Sequence, residues 1–461
     1  MCSNRGMSEF LPPDWSERLR VDRAHVWHPF TPMKEHEADP PLPVIGAEGC
    51  DLLLADGSRV FDGIASWWTN VHGHGHPRLV GALERQAARL DHVLFAGFTH
   101  EPALELVARL KPRLPLGLTR CFFSDDGSTA VEVALKMAFQ SQMQRGRTGR
   151  TRFGALVDGY HGDTLGAVGV GELDNWLTGL FRPLLLHCDR LAVPEDLRCD
   201  LAGVPEDWSL CLEGARAEMC AFFETHGEGM AAFIVEPLVQ GAGGMRMWPP
   251  ELLRELRIQC DHFGVLLILD EVMTGFGRTG TFLACEQAGV TPDLLCLSKG
   301  LTGGTLPLAL SWATEALFQD FWGDYGEGRT FFHGHSYTAN PIACAVAVAN
   351  LALFDEEPVL PRARELAVTL RQEWTRLAGH PALRRVRTLG CIAAARMVDP
   401  VSGMPHPPEA RRGWRLHRRA LAQGLLVRPM GDCLYLLPPL AAPAHRIREA
   451  VDTLLNLLDE C

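Results

Sequence analysis

Two short apolar runs constrain the fold of this chain more than any other feature. Val265-Leu-Leu-Ile-Leu269 ends in Asp270-Glu271, and Leu294-Leu-Cys-Leu297 ends in Ser298-Lys299-Gly300. Runs this short and uniformly apolar read as strands covered on both faces, the pattern of a parallel sheet. Parallel strands end on one edge, so an acid and an amine arrive at the same place. In open α/β sheets that carboxyl edge is where ligands bind. An Asp and a Lys so placed suit pyridoxal phosphate. The amine can condense with the aldehyde as a Schiff base, and the carboxylate can keep the ring nitrogen protonated, which makes the ring an electron sink. A lysine that follows Leu294-Leu-Cys-Leu297-Ser298 and precedes Gly300-Leu-Thr-Gly-Gly304 does not read as an ordinary solvated side chain.

The rest of the chain supports the same class. Between about 78 and 345, strand-like runs alternate with helical patterns, as a parallel sheet requires. The strand candidates are Arg120–Ser124, Phe153–Asp158, Ala231–Glu236, Val265–Asp270, Leu294–Ser298 and Leu306–Ser311, with helices such as Ser128–Met143 and Pro250–His262 between them. Segment 173–210 reads as an irregular surface excursion. Earlier, Cys50–Phe61 has the pattern of a hairpin turning at Asp56-Gly57. Later, long helical patterns cover Leu351–Leu377 and Pro408–Gln423, with short strands at Cys391–Met397 and Cys433–Leu437. The expectation is an α/β protein with a mostly parallel sheet in a large domain and a smaller α+β domain. Residues 76–345 would form the large domain and 346–461 the small one, joined by the segment 1–75. A chain of 461 residues exceeds what one core usually serves.

Charge and cysteine usage exclude several classes. The formal charge is −12 with no basic run, which argues against nucleic acid or an anionic membrane as partner. No run approaches 18 apolar residues, so no membrane span is expected, and the first residues lack a signal-peptide core. Among the 14 cysteines there is no C-x-x-C pair, and Cys121, Cys296 and Cys344 sit in apolar stretches. Reduced thiols in a cytoplasmic protein are expected.

Other motifs fall around the cofactor reading. Ser124-Asp-Asp-Gly127-Ser128-Thr129 follows a strand and opens a helix, where free N–H groups and the dipole favour a phosphate; a plain N-cap at Ser128 or Thr129 is the competing reading. Tyr160, in Gly159-Tyr-His-Gly-Asp-Thr164, stands at a strand end where a ring can stack on a planar ligand. Gly275-Phe-Gly277-Arg-Thr-Gly280 matches a dinucleotide fingerprint, but no good helix starts at Gly280, so that reading is set aside. His72-Gly-His74-Gly-His76 and His333-Gly-His335 have no standard zinc spacing; no metal is expected, and loop histidines near an anionic cofactor are the better reading.

At this point the chain resembles the fold-type I, class-III aminotransferases, through Glu236-Pro237, Leu269–Gly280 and Leu297-Ser-Lys-Gly300. Trp27-His-Pro-Phe-Thr31, Ser66-Trp-Trp68, Gly159–Thr164, Val239–Met247 and Leu301–Gly304 narrow the resemblance to the adenosylmethionine–8-amino-7-oxononanoate aminotransferases of biotin synthesis, over about residues 22–455. The resemblance implies roles at matching positions. Lys299 would be the Schiff-base lysine and proton carrier, and Asp270 the partner of the pyridine nitrogen. Gly127 and Ser128 would bind phosphate. Phe30, Trp67, Trp68 and Tyr160 would line the substrate site, with Tyr160 also against the cofactor. Gly334, His335 and Ser336 would reach the neighbouring subunit's cofactor phosphate and substrate, which implies a homodimer. Arg428 would hold the oxononanoate carboxylate, with Tyr435 close by.

The implied reaction is a ping-pong amino transfer from S-adenosylmethionine to 8-amino-7-oxononanoate. Phe30 stands where the family often has Tyr, and His335-Ser336 where it often has Pro-Thr. Some relatives use lysine as donor, so the loss of that hydroxyl bears on donor choice. Two rivals remain: another class-III transaminase acting on an ω-amine or diamine, and a cofactor-binding regulator without turnover.

Overall fold

The computed structural model describes residues 15–37, 39–171, 176–193 and 209–459, with the side chains of 176–178 and 209–211 outside it. Its centre is a seven-stranded sheet in the order Leu118–Ser124, Ala309–Thr314, Leu294–Leu297, Leu266–Asp270, Met230–Val235, Arg152–Leu156, Cys188–Leu191. Ala309–Thr314 is antiparallel to both of its neighbours and every other pair is parallel. All strands but that one therefore end on the same edge. The apolar runs behave as their composition requires: Met230–Val235, Leu266–Asp270 and Leu294–Leu297 are buried at every position. Helices close both faces, chiefly Gly127–Gln144 on one and Pro250–Phe263 and Pro341–Glu356 on the other.

The remaining sheets sit to one side. Val44–Glu48, Asp51–Leu54 and Arg59–Asp62 form an antiparallel sheet that Leu425–Leu426 joins in parallel. The Asp56-Gly57 turn is present, with Gly57 at φ 86°, a value only glycine adopts without strain. A second sheet, Leu383–Leu389, Ile392–Met397 and Cys433–Leu436, packs under Val359–Thr375 and Ala444–Asp459 as a separate apolar core.

Three differences from the sequence reading have local causes. The pattern Leu351–Leu377 is two helices, Pro341–Glu356 and Val359–Thr375, because Pro358 forces Glu357 into extended backbone. The first of these crosses residue 345, and its Ala343, Cys344, Ala347 and Leu351 pack in the core of the large sheet. The 173–210 excursion contributes the edge strand Cys188–Leu191, which the polar sequence Cys-Asp-Arg-Leu conceals; 172–175 and 194–208 lie outside the described residues. Leu383–Leu389 escaped notice because arginines occupy alternate and adjacent positions and a register shift falls between Arg384 and Arg387.

The ten cysteines whose side chains are described are free thiols. No described helix is long and apolar enough to cross a membrane.

Candidate active site

Register puts the reactive groups side by side. Leu269 pairs with Val235 and Leu295, and Asp270 pairs with Cys296. Glu236, Asp270 and Lys299 therefore leave three adjacent strands at the same edge. There a cavity of about 720 Å³ opens, lined among others by Trp68, Gly127, Ser128, Tyr160, Asp270 and Lys299. The structure thus brings these sequence-selected residues into one space.

Each is held by identifiable contacts. Asp270 is 5% exposed; its Oδ2 lies 2.8 Å from His161 Nδ1 and its Oδ1 accepts from the Val272 amide at 3.1 Å. Its neighbour Glu271 turns away and accepts from the Ala284 and Cys285 amides and the Thr274 hydroxyl, so it serves the scaffold. Lys299 has φ 45°, a strained conformation for a residue with a Cβ. Its Nζ lies 4.8 Å from the Trp68 ring centroid. Burial lowers the Lys299 pKa, against the opposing pull of Asp270 and Glu236. Tyr160 donates its hydroxyl to Asp163 at 2.8 Å, and its amide donates to Glu236 at 3.0 Å. Burial and then the Asp163 charge keep that phenol protonated. Glu236 also accepts from the Gly241 amide at 2.8 Å, and burial pushes its carboxyl up to about 7.

At the opposite wall the helix Gly127–Gln144 begins. Its N-cap is Asp126, whose carboxylate accepts from the Thr129 amide at 3.0 Å; neither Ser128 nor Thr129 is the cap. That leaves the Gly127 and Ser128 amides without helical acceptors at the positive end of the dipole. Ser128 Oγ lies 2.8 Å from Thr164 Oγ1 and accepts from the Thr164 amide at 3.0 Å, which ties the helix start to the Tyr160 loop. A Cβ at Gly127 would stand 2.6 Å from Val272 Cγ1, so this wall requires glycine.

A second group of residues lies beside the cavity on irregular backbone. Ala65, Ser66, Trp67 and Trp68 all have positive φ, forming a left-handed turn of residues with side chains. Such a turn costs on the order of 1–2 kcal/mol per residue. Buried Asp62 holds it: Oδ1 accepts from the Ser66 amide at 2.9 Å, Oδ2 from the Ser66 hydroxyl at 2.7 Å, and His74 Nε2 lies 3.0 Å from Oδ2. Arg278, of the glycine-rich run, is itself buried and donates to the Trp68 and Asn70 carbonyls at 3.3 and 2.6 Å. The turn places Trp68 Nε1 3.2 Å from the Tyr435 hydroxyl. Phe30, 59% exposed, meets Trp67 edge-on at 5.5 Å. The Arg428 guanidinium lies 5.5 Å from the Trp67 ring and 5.5 Å from the Trp414 ring. It makes no hydrogen bond or ion pair among the described residues, and burial lowers its pKa. Gly334, His335 and Ser336 do not line the 720 Å³ cavity; His335 Nδ1 stands 3.7 Å from Asp125, which does.

The class-III aminotransferase profile matches residues 33–458. The chain is 46% identical over 438 residues to the adenosylmethionine-8-amino-7-oxononanoate aminotransferase of Synechococcus elongatus, covering 95% of this chain and 99% of that one. It superposes on the crystal structure of the enzyme of that name from Methanocaldococcus jannaschii with a TM-score of 0.90 at 33% identity, over 97% and 100% of the two chains. An amine transaminase from an uncultivated Pseudomonas species, in its PLP-bound form, superposes at 0.86 and 32% identity over 94% and 98%. The chain belongs to the class-III aminotransferases.

This aminotransferase is a pyridoxal-phosphate enzyme, and its cavity fits that cofactor. A buried carboxylate, an amine made less basic by burial, a glycine-tight helix N-terminus and an aromatic side chain line one space of sufficient size. Sequence reasoning missed three contributors. His161 and Glu236 were quoted within motifs but given no role; two adjoining strand ends carrying Glu236 and Asp270 were the available signal. Trp414 had none, since an aromatic in an amphipathic helix reads as packing. The histidines of the two glycine-rich loops find protein partners within the chain. His74 holds Asp62, His72 Nε2 lies 2.7 Å from Asn350 Oδ1, and His333 lies against Lys136 at 2.9 Å; none of them lines the cavity. They set loop geometry because each finds a local protein partner.

Proposed function

We propose that this chain converts 8-amino-7-oxononanoate to 7,8-diaminononanoate with S-adenosylmethionine as amino donor, a step of biotin biosynthesis. It does so in the cytoplasm as a homodimer, with Gly334, His335 and Ser336 of one subunit serving the site of the other. The division into segment 1–75, a large domain from 76 and a small domain to 461 belongs to the same reading, with the helix Pro341–Glu356, which crosses the 345/346 boundary, packed on the large domain.

One observation carries the substrate assignment beyond the relatives' names. Arg428 is a half-buried guanidinium with no acidic partner among the described residues, set against Trp67, the neighbour of the cavity-lining Trp68. A keto acid whose carboxylate is remote from its reacting ketone needs a cation placed in this way, and the planar fork of Arg can bind that carboxylate bidentately. The homodimer is supported by Phe332 and Tyr337, large aromatics left in solvent around the Gly334–Ser336 segment.

When bound, pyridoxal phosphate supplies an aldehyde that takes up the amino group and a cationic ring that draws electrons from the reacting carbon. The chain supplies the rest. Lys299 holds the cofactor and carries the proton between the donor carbon and the cofactor. Its lowered pKa raises the fraction of neutral amine that can accept that proton. Asp270, fixed by His161, is the carboxylate for the ring nitrogen. Gly127 and Ser128 hold the phosphate end. Tyr160 and Trp68 confine the ring and the substrate beside it, and Tyr435 fixes Trp68.

Purified holoenzyme given 8-amino-7-oxononanoate and S-adenosylmethionine should form diaminononanoate, detected by mass spectrometry. Product with lysine but not with S-adenosylmethionine would move the donor assignment. Turnover of simple ω-amines with no diaminononanoate from any donor would favour an amine transaminase, the second reading that the likeness to the Pseudomonas enzyme supports.

A further inference from the structure

We propose that Trp414 is a positioning residue for the acid substrate: with Trp67 it clamps the Arg428 guanidinium and fixes the direction of its N–H fork. This rests on Arg428 binding the carboxylate, as argued above.

The two indoles come from unrelated parts of the chain. Trp67 stands on the left-handed turn at 65–68, and Trp414 on the helix Arg412–Ala422. Each ring centroid lies 5.5 Å from Arg428 Cζ. A guanidinium is planar and weakly hydrated, so aromatic faces attract it without consuming its donors. An acidic partner would orient Arg428 equally well but would compete with the substrate for the same N–H groups. Arg428 has none among the described residues, and the acids that line the two clefts beside it are engaged elsewhere. Asp432 accepts from the His406 backbone and faces Arg396. Glu35 is paired with Arg411, Asp39 with Arg418 at 2.9 Å, and Asp56 accepts from Ser58.

Trp414 is itself held in place. His417 lies against it with centroids 4.9 Å apart and 33° between planes. The same His417 is hydrogen-bonded through Nδ1 to the carbonyl of Val427, the residue before Arg428. Arg411 covers Trp414 at 5.4 Å. Helix, clamp and arginine are thus tied together at the root of the Arg428 side chain. A long side chain that would otherwise sample many rotamers is presented to the substrate in one.

The test compares Trp414→Phe, Trp414→Leu and Trp414→Ala in the holoenzyme. Trp414→Ala should raise KM for 8-amino-7-oxononanoate about tenfold. The donor half-reaction, followed by the cofactor's absorbance change, should stay unchanged. Trp414→Phe should restore most of the loss, and Trp414→Leu, which fills space without an aromatic face, should not. Equal rescue by Leu and Phe, or equal damage to both half-reactions, would overturn the clamp. In Arg428→Ala protein, adding Trp414→Ala should change KM no further, and additive losses would again overturn it. If Arg428→Ala alone leaves KM for the keto acid unchanged, the carboxylate reading fails. If it raises KM and Trp414→Ala does not, only the clamp fails.

Discussion

The cofactor end of this site and its proposed carboxylate end are built by opposite means. Asp270 is the last residue of a buried strand, Glu236 and Lys299 stand one and two residues past its neighbours, and sheet register alone aligns them. Trp67, Phe30, Trp414 and Arg428 come from a left-handed turn, an exposed loop, a helix and the second residue past a short strand, and only tertiary contacts bring them together. The first end uses the most regular part of the molecule, where hydrogen-bonded strands fix atoms at low local cost and, of the three groups, only Lys299 at φ 45° stands on strained backbone. The second stores backbone strain, offset by Asp62 and Arg278 beneath the turn. The chemistry common to the family thus rests on rigid register, and on the proposed reading substrate choice rests on a surface that sequence can vary without disturbing the sheet.

The largest effect should come from the rigid end. Lys299→Ala should lower turnover by at least about a thousandfold, since it removes both the anchor and the proton carrier. Borohydride reduction of the native holoenzyme should label Lys299; label on another lysine would break the assignment. Next, Arg428→Ala should weaken the oxononanoate transition state by about 2–5 kcal/mol while sparing the donor half-reaction. Equal loss in both halves would mean that the two ends are one structural unit.

A smaller effect should follow at the turn. Asp62→Ala leaves the Ser66 amide and hydroxyl without their buried acceptor and should destabilise the protein by about 3 kcal/mol in denaturant melts. It should also raise KM for the keto acid through Trp67. Burial acts to raise the Asp62 pKa, but His74 and the Ser66 bonds outweigh it and the net shift is downward. The contribution of Asp62 is therefore full above its unfolded pKa and is lost as pH falls through the lower folded value. An acid limb of stability that Asp62→Ala leaves unaltered would remove this residue from the account.

The smallest effect concerns Glu236. Its folded pKa is raised by burial from 4.5 to about 7, so the folded protein holds a proton that the unfolded chain gives up. Cofactor-free protein should lose about 1–3 kcal/mol as pH rises across that interval. Glu236→Gln should flatten that slope. A slope unchanged in the variant would show that other groups carry it.

Much of the cofactor end was legible because its causes are local. Apolar runs of strand length, each followed by a chemically distinct residue, state where a sheet edge lies and what stands on it. Gly127 was legible for the same reason, since a small residue opened a helix directly after a strand. The cap itself was not legible: Asp126, Ser128 and Thr129 are all competent caps, and only the backbone conformation of Asp126 selects one. At the other end, Arg428 and Trp67 came from the family resemblance rather than from local pattern, and Trp414 was not found. Nothing in the sequence around Trp414 states that a guanidinium from another element will lie on it.

The sequence by itself determined the strand order's raw material, the acid and the amine at the sheet edge, the glycine-led helix start beside them and the family. Each is written in hydrophobic period and turn chemistry, which act over a few residues. Only the tertiary structure decided that Ala309–Thr314 runs against its neighbours, that His161 backs Asp270, and that two distant tryptophans flank one unpaired arginine. Those are contacts between residues far apart in the chain. Their energies depend on a geometry that exists only once the sheet and its helices have packed.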